Sequence, residues 1–315
     1  MPNGNDIEKM KNNSLILVSL LTSIALAGCG GGGGGSDSNA GAAAPASSAS
    51  SPAAAASPAS STATSLPAAA PAPASTATVV GEALPSLTSP QAGSTAATGS
   101  GPIGVWTSTS GIYHTIAFVD PENNVSALTA ASSFVDDTFF GTLTTTASSW
   151  SLTSGLDFTD LSFVYPTTSG SGSYATGKTF SGSYVANHNT TNLSWNFDAA
   201  NALSVTQQSV TGTWSQGAAS IVIAADGSFT GTFSSCNVSG TVLLATPGSN
   251  QNVYTMTVSA AAGTSCAMPA GMSYSGSAAI VFLPVTGSNG YLRTIVYSVK
   301  ASDNSHIAYG QIEKQ

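Results

Sequence analysis

Between Gly30 and Gly101 the chain has almost nothing with which to build a core. The composition there collapses to Gly, Ala, Ser, Pro and Thr, opening with the hexaglycine run Gly30 to Gly35. Only Asp37 and Glu82 carry charge, and large apolar side chains are scarce. Such a segment cannot offset its ordering entropy, so it is expected to stay disordered. As a coil of about seventy residues it would span on the order of 50 Å, stiffened toward polyproline II by its prolines. Any folded part is thereby confined to residues 102–315.

That remainder carries strand-and-turn punctuation. Short runs rich in Val, Ile, Thr, Tyr, Phe and Trp are bounded by Gly, Asn, Asp and Ser. Strands are expected at 112–119, 138–144, 157–165, 178–185, 193–197 and 220–224. Others are expected at 228–233, 238–245, 253–259, 274–283, 291–299 and 306–312. Ala225-Asp226-Gly227 and Gly287-Ser288-Asn289-Gly290 read as hairpin turns. No window shows amphipathic helical periodicity, so the fold class is all-β. A weak repeat divides the region. Gly104-Val105-Trp106 opens it, and Gly212-Thr213-Trp214 recurs 108 residues later. Each is followed further on by Gly-Thr before an apolar residue, at Gly141-Thr142-Leu143 and Gly231-Thr232-Phe233. Two small antiparallel β-barrel or β-sandwich domains follow, over 102–205 and 206–315, each long enough to bury a core. One larger sandwich is the alternative.

Charge excludes several function classes. Charged residues make up 6% of the chain, with 6 Lys+Arg against 14 Asp+Glu. No basic stripe exists for nucleic acid. No set of long apolar spans exists for a polytopic membrane protein. Region 102–315 holds ten acidic and four basic residues, Lys178, Arg293, Lys300 and Lys314. Its outer faces must be covered mainly by Ser, Thr, Asn and Gly, a surface suited to glycans or envelope proteins.

The candidates for chemistry are few. His114, His188 and His306 form no ligand-spaced pair, and they read as strand or surface residues. Asp120-Pro121-Glu122-Asn123-Asn124 offers oxygen ligands for calcium but equally what a turn needs. Asp136 with Asp137, and Asp157 with Asp160, are either carboxylate pairs for acid–base work or charges for solubility. No Gly-x-Ser-x-Gly elbow occurs in 102–315, and no phosphate-cradling Gly loop precedes a helix. No cofactor, no metal and no enzymatic activity are expected.

The N-terminus reads as an address. Ser14 to Ala27 form an apolar run of fourteen residues, preceded by Lys9 and Lys11. It is too short to span a bilayer and fits a signal-peptide core. Leu26-Ala27-Gly28-Cys29 resembles the lipobox of bacterial lipoproteins. The resemblance implies a signal peptide over 1–28, acylation of Cys29 and a tether over 29–101. An ordinary secretory signal with a chance cysteine is the alternative. Two or three acyl chains anchor stably where one does not. Gly30 after the lipidated cysteine implies sorting to the outer membrane, with the bilayer as partner through Cys29. Met10 is a second candidate start. The Ser/Ala/Pro-rich tract resembles bacterial O-glycan acceptor regions, or is a plain spacer.

The Gly-x-Trp openings resemble the first strand of calycins, the superfamily of lipocalins and avidins. Gly212 to Phe233 is similar to the first hairpin of bacterial avidins. The likeness implies a small barrel closed at one end by the indole. It does not carry biotin binding, because the second half has only Trp214 where that family lines its site with several tryptophans. Region 102–315 as a whole resembles two-domain lipoproteins of β-proteobacteria with no assigned activity. The shared features are a Gly-x-Trp in each half, Cys236 to Thr241, Asn252-Val253-Tyr254 and Cys266.

With Cys29 taken by lipid, Cys236 and Cys266 remain. In an exported domain they read as one disulfide, with a free thiol pair as the alternative. The expected function is a non-enzymatic outer-membrane lipoprotein presenting a β module to a protein or glycan partner. The alternatives are a calycin-like carrier of a small apolar ligand and a structural envelope component.

Overall fold

The structure is a computed structural model that describes residues 80–131, 134–159, 163–233, 235–263, 266 and 268–315. The apolar run 14–27, Cys29, the tract through residue 79 and Asp160 lie outside the described residues. Sixteen strands among the described residues close into two eight-stranded antiparallel barrels. The first comprises β1 (Gly104–Ser110), β2 (Tyr113–Val119), β3 (Asn124–Ala131) and β4 (Phe134–Thr145). It continues through β5 (Ser149–Thr159), β6 (Phe163–Ala175), β7 (Thr179–Ala186) and β8 (Asn189–Phe197). The second comprises β9 (Gly212–Gln216), β10 (Ala219–Ile223), β11 (Ser228–Phe233) and β12 (Cys236–Leu244). It ends with β13 (Tyr254–Ala260), β14 (Ser273–Pro284), β15 (Tyr291–Ala301) and β16 (Ile307–Lys314). Each strand pairs with the next, and the last returns to the first. The two-domain expectation holds, and the single sandwich does not.

Both barrels start with the same device. Trp106 and Trp214 are fully buried, and each indole N–H donates to the carbonyl four residues earlier. The acceptors are Pro102 at 2.8 Å and Val210 at 2.6 Å. The second half of the sequence repeat is shifted, however. Gly141-Thr142-Leu143 lies in β4, the fourth strand of its barrel, whereas Gly231-Thr232-Phe233 lies in β11, a third strand. The positional counterpart is Gly240-Thr241-Val242 in β12.

Aromatic rings laid on glycines build the first core. Trp150, Phe180 and Trp195 form a stack with centroids 5.1 Å apart at each step. Trp106 meets Phe197 edge-on at 5.0 Å. Room for Trp150 comes from Gly172 and Gly182. A Cβ on Gly182 would meet the Trp150 ring at 2.6 Å, and its φ of +148° already suits only glycine. The second core is apolar from one end of the barrel to the other. Trp214, Ile221, Phe229, Phe233, Val258, Tyr274 and Tyr297 lie in one buried cluster, joined by Leu203, Val205 and Val210 at one end. At the other end Cys266, Met268 and Met272 pack into it. The Cys236–Cys266 disulfide pins that closing segment, with Cα atoms 4.5 Å apart.

The barrels share a third apolar cluster. Val105, Phe118, Leu128 and Val135 on the outside of the first meet Ala279, Val281, Val296 and Tyr309 on the outside of the second. The link between β8 and β9 forms two 3₁₀ turns, Ala199–Ala202 and Gln207–Val210. Two fully buried asparagines fix it. Asn201 both donates to and accepts from the Val105 backbone. Asn252 donates to the carbonyls of Ala200 and Ile280 and accepts from the Ile280 N–H.

The expected tether boundary at 101 needs correction. Residues 80–101 form a strap across both barrels. Glu82 pairs with Tyr291 through two backbone bonds and grips Arg293 with both carboxylate oxygens. Gln91 bonds to Ala202 and Ser204, and α1 (Thr95–Thr98) places the Thr95 hydroxyl on the Asn252 N–H at 2.9 Å. The strap is held by polar groups meeting backbone that the link leaves open. Its lack of large apolar side chains therefore did not prevent order.

Candidate functional site

The two ends of the first barrel differ in what fills them. Trp106, Trp150, Tyr174, Phe180 and Phe197 fill the end where β1 begins. At the opposite end the alternation of strand side chains points a different set inward. With Trp106, Ala117, Phe139, Tyr184 and Leu193 in the core, the same phase directs Ser108, Thr115, Thr129, Asp137, Tyr165 and Thr191 into the barrel. All six are only half-buried. The upper interior of the first barrel is therefore polar and only partly buried, above the packed aromatic end.

Its floor is the stacked pair Phe139 and Tyr184, with centroids 4.3 Å apart. The Tyr184 hydroxyl donates to the Asp157 carboxylate at 3.2 Å, and Asp157 is itself buried. Burial first, and then the charges of Asp137 and Asp157, push the Tyr184 phenol far above its ordinary range. Tyr184 thus stays protonated and acts as a donor at any physiological pH. Higher in the wall, the Thr115 and Thr129 hydroxyls bond to each other at 3.1 Å. Hydroxyls, carboxylates and phenols thus stand above the Phe139 ring in this interior.

The end itself is apolar on its surface. Ile112, Tyr113, Phe134, Phe163 and Val164 lie there and are exposed, Phe134 at 60% and Phe163 at 56%. The corresponding end of the second barrel carries no exposed large apolar side chain among the described residues. β1 and β8 close the barrel through Trp106↔Phe197 and Thr107↔Asn196, toward the packed end.

The sequence candidates distribute unevenly. Asp137 and Asp157 do share one interior, as diagonal neighbours across β4 and β5. Asp136 sits exposed outside, and Asp160 lies outside the described residues. Asp120 closes the β2–β3 turn by accepting from the Asn124 backbone and side chain at 2.7 and 2.9 Å. With Asn123 at φ +61°, this loop is a turn built for hairpin geometry. His114 bonds Thr109 on β1, His188 sits in the β7–β8 turn and His306 bonds Ser305, so the three do not converge. Among the described residues no group of three His, Cys, Asp or Glu side chains is placed to hold a metal. Cys236 and Cys266 form the expected disulfide. Cys29 lies outside the described residues. The sequence reading missed Tyr184, Tyr165 and the Thr115–Thr129 pair. The signal was the phase set by Trp106, which assigns every second residue of the neighbouring strands inward.

No protein-family model, no curated protein and no solved structure matches this chain.

Proposed function

We propose that the chain is a non-enzymatic lipoprotein, anchored in the outer membrane through acylated Cys29, that presents the Phe134 and Phe163 end of its first barrel to a binding partner. The observation that carries this reading is the contrast between the two barrels. The second buries one large apolar cluster and is stapled by a disulfide. The first has a polar, partly buried upper interior and a group of exposed apolar side chains at the same end. A group of exposed apolar side chains marks a recognition surface.

Position supports the direction of presentation. The strap enters at the Tyr291 end of the second barrel, and the link leaves the first barrel at Phe197. The Phe134 and Phe163 end of the first barrel lies opposite that link. A module tethered at residue 80 would hold that end away from its point of attachment. The second barrel, buried against β1–β4, serves as a rigid support.

The test is site-specific photocrosslinking in intact cells with the full chain. A benzophenone amino acid at Phe163 should yield discrete adducts. The same group at Val222, an exposed apolar position on the second barrel, should not. Equal labelling at both positions, or none at Phe163, would remove the reading. A calycin-like carrier of a small apolar ligand is the second reading, favoured by the closed eight-stranded barrels.

A further inference from the structure

We infer that Asn289 is a site of spontaneous deamidation, and that its conversion to isoaspartate loosens the strap where it first meets the second barrel. Asn289 stands in the β14–β15 hairpin loop, directly before Gly290. It is exposed, and its carboxamide makes no hydrogen bond among the described residues. Nothing there keeps the carboxamide from turning onto the next main-chain nitrogen. No other asparagine among the described residues precedes a glycine.

The strap itself requires that glycine. A Cβ on Gly290 would run into the Val80 carbonyl, so a side chain at this position would push the strap away. Without a side chain, the Gly290 nitrogen is also left unshielded for attack on its neighbour. Its N–H is not part of the hairpin ladder. The loop closes through the Val285 N–H on the Gly290 carbonyl at 2.9 Å and the Ser288 N–H on the Val285 carbonyl at 3.1 Å. The Gly290 N–H donates instead to the Ser288 hydroxyl at 3.1 Å, so a side chain and not a strand holds it.

Water and hydroxide are the only co-reactants needed. Hydroxide takes the Gly290 N–H proton, and the nitrogen attacks the Asn289 Cγ. The new N–Cγ bond closes a cyclic imide. The Cγ–Nδ2 bond breaks, and the leaving nitrogen takes a proton from water and departs as ammonia. Water then opens the imide on either side. Cleavage of the N–Cγ bond gives aspartate. Cleavage of the bond from the nitrogen to the main-chain carbonyl carbon gives isoaspartate, whose main chain runs through Cβ and Cγ and is one carbon longer.

That extra carbon falls between the two grips on the strap. On one side of Asn289, the Ser288 hydroxyl accepts from the Val80 N–H at 2.9 Å and donates to the Val80 carbonyl at 3.0 Å. On the other, Tyr291 exchanges two backbone bonds with Glu82, at 2.8 and 2.9 Å, and Arg293 holds the Glu82 carboxylate. Both grips fit one strap only at the native spacing from Ser288 to Tyr291. The contacts of Gln91 and Thr95 lie farther along the strap and do not involve this hairpin. The release is therefore confined to the stretch from Val80 to Glu82, next to the point where the tract before residue 80 joins.

The experiment ages the full-chain protein, in detergent micelles, in warm and mildly alkaline buffer. Peptide mapping by mass spectrometry locates deamidation, and methylation by an isoaspartyl methyltransferase identifies isoaspartate. Conversion at Asn289 should run ahead of that at Asn187, an exposed turn asparagine followed by His188. In the aged protein the Glu82 and Tyr291 amides should exchange hydrogen about tenfold faster, with the amides beyond Gln91 unchanged. Asn289→Gln, aged alongside, should keep its protection. Fresh Asn289→Asp carries the new charge without the extra carbon and should exchange like unaged parent. Circular dichroism checks that both variants fold. Conversion at Asn289 no faster than at Asn187 would overturn the inference. So would isoaspartate that leaves strap exchange unchanged, or fresh Asn289→Asp that exchanges as fast as the aged protein.

Discussion

Trp106 and Trp214 stand in the same relation to their own barrels. Each lies three residues into a first strand, wholly buried, with its indole N–H on the carbonyl four residues before it. The preceding glycines, Gly104 at φ +138° and Gly212 at φ +115°, adopt backbone conformations that other residues avoid. The chain therefore enters each barrel through a glycine hinge that turns the indole under the floor.

Replacing either indole should cost the same kind of energy. Trp106→Phe or Trp214→Phe removes packed volume and leaves a buried carbonyl unsatisfied. Each is expected to lower stability by about 2–4 kcal/mol. Urea denaturation followed by far-UV circular dichroism measures this. A loss below about 1 kcal/mol in either variant would show that the indole is not holding its barrel closed.

The disulfide should act on one barrel more than the other. Cys236 and Cys266 are 30 residues apart, so the chain-entropy treatment gives a contribution of about 3–4 kcal/mol. Reduction, or Cys236→Ser with Cys266→Ser, also releases the segment that brings Met268 into the second core. Pulse proteolysis in urea, read by mass spectrometry of the peptides from each barrel, follows the two without altering either core. Reduction should expose the second barrel at lower urea than the first. Coincident shifts of equal size would mean that the barrels unfold as one unit.

How much of this could be read beforehand depends on side-chain contrast. β2, β10, β14 and β15 carry dense β-branched and aromatic runs and stand out. β3 (NVSALTAA) and most of β5 (SWSLTSGLDFT) are Ala, Ser, Thr and Gly, and they look like loop until their neighbours pair with them. The expected strand 157–165 is the end of β5 and the start of β6, because its apolar residues belong to both arms of a hairpin. The polar upper interior of the first barrel was hidden for another reason. Its lining depends on phase, and register shifts at Thr129/Ala130 and Thr142/Leu143 reset the phase within β3–β5. The disulfide, by contrast, followed from counting cysteines.

The strap gives a prediction that a tether would not. Thr95 is buried, and its hydroxyl accepts from the Asn252 N–H, itself completely buried. Thr95→Val keeps the shape and removes the acceptor, so the loss should be about 1–3 kcal/mol. Ser60→Val, within the tract expected to be a spacer, should change nothing. Thermal melts of the two variants decide the matter. Equal melting temperatures would mean that residues 80–101 are not part of the cooperative unit.

Asp198 ties folding to pH. Its carboxyl accepts from the Ala200 N–H at 2.8 Å and the Thr107 hydroxyl at 3.2 Å. Burial outweighs both bonds and raises its pKa above the ordinary 3.8. The folded state therefore holds this proton more tightly than the unfolded state does. Stability from this group is fully present below pH 3.8 and is lost as pH rises through the raised folded value. Asp198→Asn stays neutral at every pH and can keep both hydrogen bonds. At pH 7 the variant should therefore melt at a higher temperature than the parent, and the gap should close as pH falls to 3. Asp120, whose pKa burial also raises, is unchanged in both proteins, so its contribution cancels in the difference. Melting curves at half-unit pH steps test this directly. A gap that grows toward low pH would mean that the Asp198 carboxylate stabilises the link as an anion, with the sign of the linkage reversed.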